Sequence, residues 1–160
     1  MKNEECMKYT YRHRKIVIYL ANKYFKDNKE LINRVQLHDI DKLFMYLFYE
    51  VKDITKIHRN NLSHHQNEIE KTELDYMEMV LDWESARYTK PDKPLNAYDT
   101  LYKFYPELED KILPILKELG IDKSGLDMED DVFAYAKSIM NVSIDDIKRE
   151  IVDTLDILFR

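Results

Sequence analysis

Seven residues between positions 13 and 82 carry the side chains best suited to holding a metal ion. All five histidines fall in the first 65 positions, as His13, His38, His58, His64 and His65; Asp39 follows His38 directly and Asp82 precedes Trp83. His13 shares a helical stripe with Ile16, Val17 and Leu20, and His38 is in register with Leu31 and Val35, so both are expected to face a core. Asp82 comes three residues after Met79 and flanks the apolar face that holds Trp83. Polar groups turned into an apolar bundle need partners, because leaving one unsatisfied costs about 1–3 kcal/mol. A cation held by imidazole nitrogens and carboxylate oxygens would satisfy several at once. Taken singly, each group also has an ordinary reading: His13 as a hydrogen-bonded core histidine, His64-His65 as a solvated loop pair, Asp82 as an ion-pair partner.

The order of these residues links them, and it resembles the ligand order of the HD superfamily of metal-dependent phosphohydrolases. The segment LHDIDK, 37–42, looks like the HD-x-x-K box. The sequence HD, then His58, NLSHH and Asp82-Trp83 is similar to a small HD-like family of bacteria and phages. It is also similar to the binuclear branch of the superfamily, which has extra histidines before the last Asp. The resemblance covers roughly residues 8–90.

The resemblance implies a first metal held by His13, His38, Asp39 and Asp82, with Asp39 bridging to a second. His58 and one of His64 and His65 would hold that second ion; His64 is assigned as the ligand and His65 is placed among the catalytic groups. Lys42 is the other catalytic candidate, neutralising phosphate charge in the transition state, unless it is simply a surface lysine. Adjacent residues within a helix diverge by about 100°, so His38 and Asp39 are expected at a helix end. Arg14 and Arg59 neighbour ligands and are minor phosphate-binding candidates. Many binuclear relatives have Gly where this chain has Asp41, which reads better as a helix-surface acid than as a third carboxylate near the metals.

The implied cofactor is one or two divalent transition-metal ions, among Fe, Mn, Co, Ni and Zn. Such a centre acidifies bound water and acts as a Lewis acid. The function implied is hydrolysis of a nucleotide or similar small phosphate ester. The same ligand order supports an HD-type diiron oxygenase, and a non-catalytic module with a structural metal is the third reading. No glycine-rich phosphate loop is present, since the only glycines, Gly120 and Gly125, lie outside the motif region. Nor is there a G-x-S-x-G elbow or a cysteine nucleophile context.

Helices must position these groups. Spacing predicts helices over 7–26 and 29–37, and LFMYLFYEV, 43–51, is apolar all round and reads as a buried helix. Asp53 is the expected N-cap of a short helix reaching Arg59, and NNLSHHQN, 60–67, is a loop. The stripe Tyr76, Met79, Val80, Trp83 marks a long helix from Ile69 to Thr89, broken by TKPDKP, 89–94. Helices follow at 96–104 and 106–119, the latter capped by Gly120, then one from Asp127 to Met140. Ser143 with Asp146 forms a capping box for a last helix striped by Ile144, Ile147, Ile151, Leu155 and Leu158. The expectation is one all-α domain over 1–160: an HD-domain-like helical bundle (motif region 8–90) with a C-terminal helical extension, 91–160.

Composition narrows the class further. Of 160 residues 44% are hydrophobic, enough for a core without a staple. Gly and Pro number only 2 and 4, where average usage would give about 19 together; this argues against turn-rich β folds. Cys6 is the only cysteine, so no intramolecular disulfide is expected. The opening residues lack an apolar leader core, and the longest apolar run, Leu43–Tyr49, is far short of the roughly 20 residues that span a bilayer. A cytoplasmic protein without membrane contact is expected. Residues 1–103 are near neutral while 104–160 are acidic, within a net charge of −6. That balance disfavours duplex nucleic acid and permits a small phosphorylated substrate, a nucleotide above all; a homodimer stays open.

Overall fold

Apolar residues at Met7, Ile16, Val17, Leu20 and Ala21 recur at helical spacing and wind the first segment into a helix that buries them all. The computed structural model describes residues 3–90, 92 and 95–159, and among these no strand occurs. The helices are α1 (Glu4–Tyr24), α2 (Lys29–Val35), α3 (Ile40–Met45), α4 (Val51–Asn61), α5 (Glu73–Thr89), α6 (Ala97–Phe104), α7 (Glu109–Leu119), α8 (Asp130–Ser138) and α9 (Ile144–Leu158). A 3-10 turn, Pro106–Leu108, leads into α7. The chain is an all-α bundle.

The caps follow the chemistry of the sequence. Asn28 accepts from the Leu31 amide at the start of α2, and Ser143 accepts from the Asp146 amide at the start of α9. Gly120 ends α7 with φ +71°, a left-handed conformation that costs glycine nothing.

Two apolar clusters hold the helices together. The larger one joins Leu20, Leu31, Val80, Leu81, Leu101, Ile112, Leu116 and Val132 around the α1–α5 pair. The smaller joins Met7, Ile40, Leu43, Ile54, Ile147 and Ile151. Each fully buried aliphatic side chain contributes about 1.5–3 kcal/mol. The C-terminal region supplies part of both clusters: α6 and α7 pack on α5, α8 packs on α1 and α5, and α9 packs on α1 and α3. It closes the core instead of trailing from it.

Several local expectations are corrected. The run 43–51 is not a buried helix: α3 covers only Ile40–Met45, and Phe44, Phe48 and Tyr49 are 43%, 67% and 55% exposed. Its neighbours α1, α4 and α9 cover only the side that carries Leu43 and Tyr46. Glu50, with extended backbone, takes the cap position of α4, and Asp53 sits in the first turn, where its charge suits the helix dipole. The long helix begins at Glu73 instead of Ile69, and Glu129 replaces Asp127 at the N-cap of α8. In α9, Ile147 and Ile151 are buried but Leu158 is exposed. α5 ends at Thr89 as expected, while Pro91, Lys93 and Pro94 of the anticipated break lie outside the described residues. No helix among the described residues is long and apolar enough to cross a membrane.

Candidate metal centre

The site is built at a break between two short helices. α2 stops at Val35, and the chain restarts as α3 only after passing through Asp39 with φ 56° and ψ 15°. Asp39 is the one described non-glycine residue with positive φ, a left-handed conformation that Asp adopts more readily than most side chains. This kink lets the adjacent His38 and Asp39 side chains address one centre, which continuous helix would forbid. His13 comes from the inner face of α1, His58 from the last turn of α4, and Asp82 from α5.

His64 and His65 belong to the polar loop after α4, yet His64 is only 2% exposed. The loop is tied down from outside. The Lys71 ammonium donates to the carbonyls of Ser63, at 2.6 Å, and of His65, and Arg34 donates to the Ser63 hydroxyl at 2.9 Å. These ties turn a segment that looks solvated into a wall of the site.

Asp39 stands at the middle, its two oxygens facing different imidazoles. Oδ2 lies 3.5 Å from His38 Nε2 and 3.8 Å from His13 Nε2. Oδ1 lies 2.9 Å from His58 Nε2 and 3.6 Å from His64 Nε2. Asp82 Oδ1 completes the first side, 2.5 Å from His13 Nε2 and 3.5 Å from His38 Nε2. Donor atoms of His13, His38 and Asp39 lie within 4.8 Å of one another, as do those of Asp39, His58, His64 and His65.

The outer nitrogen of each inner imidazole is occupied. His38 donates from Nδ1 to Glu78 Oε2 at 2.7 Å, and His64 Nδ1 forms an ion pair with the same oxygen at 2.9 Å. His58 Nδ1 donates to Asp41 Oδ2 at 2.7 Å. Ser85 gives its hydroxyl proton to the Asp82 carbonyl at 2.8 Å, so its oxygen accepts from His13 Nδ1 at 3.0 Å. With Nδ1 of each ring engaged on the outside, the Nε2 atoms of all four rings converge on the carboxylates, and on giving up their Nε2 protons they would face a metal.

This convergence passes a test of fit. Asp39 Oδ1, His58 Nε2, His64 Nε2 and His65 Nε2 are buried without a hydrogen-bond partner, because even the 2.9 Å approach of His58 to Asp39 is not aligned as a hydrogen bond. Four orphaned buried polar atoms in one place would cost several kcal/mol. One or two cations among them would satisfy all four.

The electrostatics have the same centre. Burial works against charge on Asp39 and Asp82, yet His38, His58 and His64 hold Asp39, and His13 and His38 hold Asp82, well below the usual carboxylate range. Glu78 is likewise lowered against burial, by His38 and His64. In turn His38 and His58 are raised despite burial, chiefly through Asp39, and His64 is raised to about 9. His65 behaves oppositely, since burial pushes it down to about 3 and leaves it a neutral base. Burial also opposes the Lys42 charge, but Asp39, Tyr46, Asp82 and Tyr9 together outweigh it and raise the ammonium above its ordinary value.

A cavity of about 200 Å³ opens onto this centre, lined by His13, Asp39, His58, His65 and Asp82 together with Lys42, Arg59 and Lys90. Tyr9 and Trp83 form its aromatic sides: Tyr9 carries the Lys90 ammonium 5.0 Å from its ring centre, and Trp83 stacks on Tyr105 at 5.0 Å.

All six residues expected as ligands therefore meet here, and both His64 and His65 enter the donor cluster. Asp41 is not the surface acid expected, because it is committed to His58. Arg14 does not face the cavity; its buried guanidinium donates to the His38 carbonyl, to Glu150 and to Thr154, all at 3.2 Å. Glu78 and Ser85 went unnoticed in the sequence. Both lie on the α5 face of Asp82, four residues before and three after it, and that spacing was the available signal. Family models, curated proteins and solved structures include no match to this chain.

Proposed function

We propose that this chain is a metal-dependent phosphohydrolase of the HD type, holding two divalent ions and acting on a small phosphate ester. The observation that supports this most is the division of the Asp39 carboxylate, with Oδ2 toward His38 and His13 and Oδ1 toward His58 and His64. In this reading His13, His38, Asp82 and Asp39 Oδ2 hold one ion, and His58, His64 and Asp39 Oδ1 hold the other. The bound ions would supply Lewis acidity and a water acidified toward neutral pH.

The chain's own residues do the rest. Lys42, Arg59 and Lys90 offer three cations along the cavity wall to a phosphoryl group, where preorganised charge is worth most. His65 has a buried Nε2 without a partner, and a ring held at about 3 is too weak a base to take up a proton near neutral pH, so it completes the ligand set of the second ion position instead of serving as the catalytic group expected from the sequence. The cavity of about 200 Å³ is smaller than the roughly 300–1,000 Å³ of pockets that enclose a drug-sized ligand. It takes a phosphoryl head and a few atoms more, so the remainder of a nucleotide would extend past the rim between Tyr9 and Trp83.

The test is turnover of nucleoside monophosphates and simple phosphate esters by protein loaded with Mn²⁺, Co²⁺, Zn²⁺ or Fe²⁺. Lys42→Ala should keep its metal and lose about 2–4 kcal/mol of transition-state stabilisation. A loaded wild type that hydrolyses nothing on the panel would count against hydrolysis. The second reading, a diiron oxygenase, is favoured by the same carboxylate lying between two imidazole sets, and oxygen consumption by the Fe²⁺-loaded protein separates the two.

A further inference from the structure

Glu78 lies outside the ligand set yet touches both halves of it. It sits on α5 one turn before Asp82, and its side chain is buried. One oxygen, Oε2, accepts from His38 Nδ1 at 2.7 Å and pairs with His64 Nδ1 at 2.9 Å. The other, Oε1, accepts from Arg34 Nε at 2.7 Å. His38 faces the Asp39 oxygen that also faces His13, and His64 the oxygen that also faces His58, while donor atoms of His38, His64 and Asp82 lie within 4.8 Å where the two sides adjoin.

From this geometry we infer that Glu78 is a positioning residue that couples the two ion positions, so that both are built or lost together. The inference rests on the two-ion reading above. An imidazole can offer Nε2 to a metal only when its proton is on Nδ1. A carboxylate only accepts hydrogen bonds, so a single Glu78 oxygen fixes that tautomer and the ring plane in both halves. The other outer partners are not shared: Asp41 serves His58, and Ser85 serves His13. Arg34 keeps Glu78 from turning toward one ring alone, since the same guanidinium also holds Asp75 and the Ser63 hydroxyl of the His64 loop.

Glu78→Gln separates this role from simple packing, because it keeps the volume and removes one acceptor. If the amide oxygen faces the imidazoles, the amide NH₂ meets the Arg34 N–H, donor against donor. If the NH₂ faces the imidazoles, both rings must move their proton to Nε2, where the metal should bind. Neither orientation serves His38, His64 and Arg34 together.

The experiment is a chelator-competition titration with Co²⁺, with ion stoichiometry at saturation, on wild type, Glu78→Gln, Asp41→Asn and Ser85→Ala, each checked for helicity by circular dichroism. Glu78→Gln should weaken both ion positions about 10- to 100-fold, whereas Asp41→Asn and Ser85→Ala should each weaken one. Glu78→Gln retaining two ions at wild-type affinity, or losing only one, would overturn the coupling while leaving the metal centre standing. A wild type that binds no ion would overturn both. Should Glu78→Gln fail to fold, long-range ¹⁵N correlation spectra of the Zn²⁺-loaded wild type decide the matter: Nδ1–H on both His38 and His64 is expected, and Nε2–H on either contradicts it.

Discussion

Moving the metal-free protein from pH 7 to pH 9 removes the proton that competes with a metal ion at His64. Burial and the neighbouring His38 oppose charge on that ring, but Asp39 and Glu78 prevail and hold it at about 9. Two units below that value the protonated ring outnumbers the free base about 100-fold, and releasing Nε2 costs about 3 kcal/mol at roughly 1.4 kcal/mol per unit. By pH 9 most of that cost is gone. Metal affinity should therefore rise by about two orders of magnitude across this interval. His38 and His58 are raised as well, so the slope should reach or exceed one proton per ion bound. His65, already neutral, should add nothing. Chelator competition at pH 7, 8 and 9 measures the slope, and calorimetry in buffers of different ionisation enthalpy counts the protons. A flat affinity without proton release would refute the reasoning.

The same shift sets the sign of stability in the metal-free protein. A raised histidine contributes fully below its ordinary value of about 6.5 and loses that contribution as pH climbs through its folded value. For His64 the window is about 6.5 to 9. The lowered carboxylates Asp39, Asp82 and Glu78 act in reverse, contributing above their ordinary values and losing that contribution on acidification. The urea midpoint of chelated protein should thus fall between pH 6.5 and 9, and metal-loaded protein should lack this fall.

Other outcomes follow from single contacts. Asp39→Asn keeps the shape but removes the charge facing both imidazole sets, so metal should be lost from both positions while circular dichroism stays helical; full metal and full activity in this variant would exclude Asp39 from the centre. Arg14→Ala removes the donor shared by Thr154, the His38 carbonyl and Glu150, of which Glu150 alone keeps a second cation, Lys15 at 3.1 Å, and should cost about 1–3 kcal/mol in urea unfolding. Metal at 100 times its dissociation constant should stabilise the protein by about 2.7 kcal/mol, visible as a raised melting temperature that a chelator reverses.

The ligand set was legible because its residues are of the right type and fall on core-facing stripes, as with His13 beside Ile16 and Val17. His64 was harder, since NNLSHHQN has the composition of a solvated loop; its burial depends on Lys71 and Arg34 reaching the loop from elsewhere in the fold. Asp41 reads as a surface acid and Glu78 carries no signal of its own, because a charge on a helix is usually solvated, and only tertiary contact shows which imidazole each holds. The failure at 43–51 has a similar origin. Apolar composition says that a helix has faces to bury, but not how many faces its neighbours will cover.

That Asp39 lies between two ion positions is tested most directly by counting ions. Wild-type protein stripped by chelator, dialysed against micromolar Mn²⁺ or Co²⁺ at pH 8 and analysed by mass spectrometry for metal per chain should bind two. A protein that takes up no ion under these conditions would contradict the metal centre itself, and one that saturates at a single ion would contradict the bridging role of Asp39.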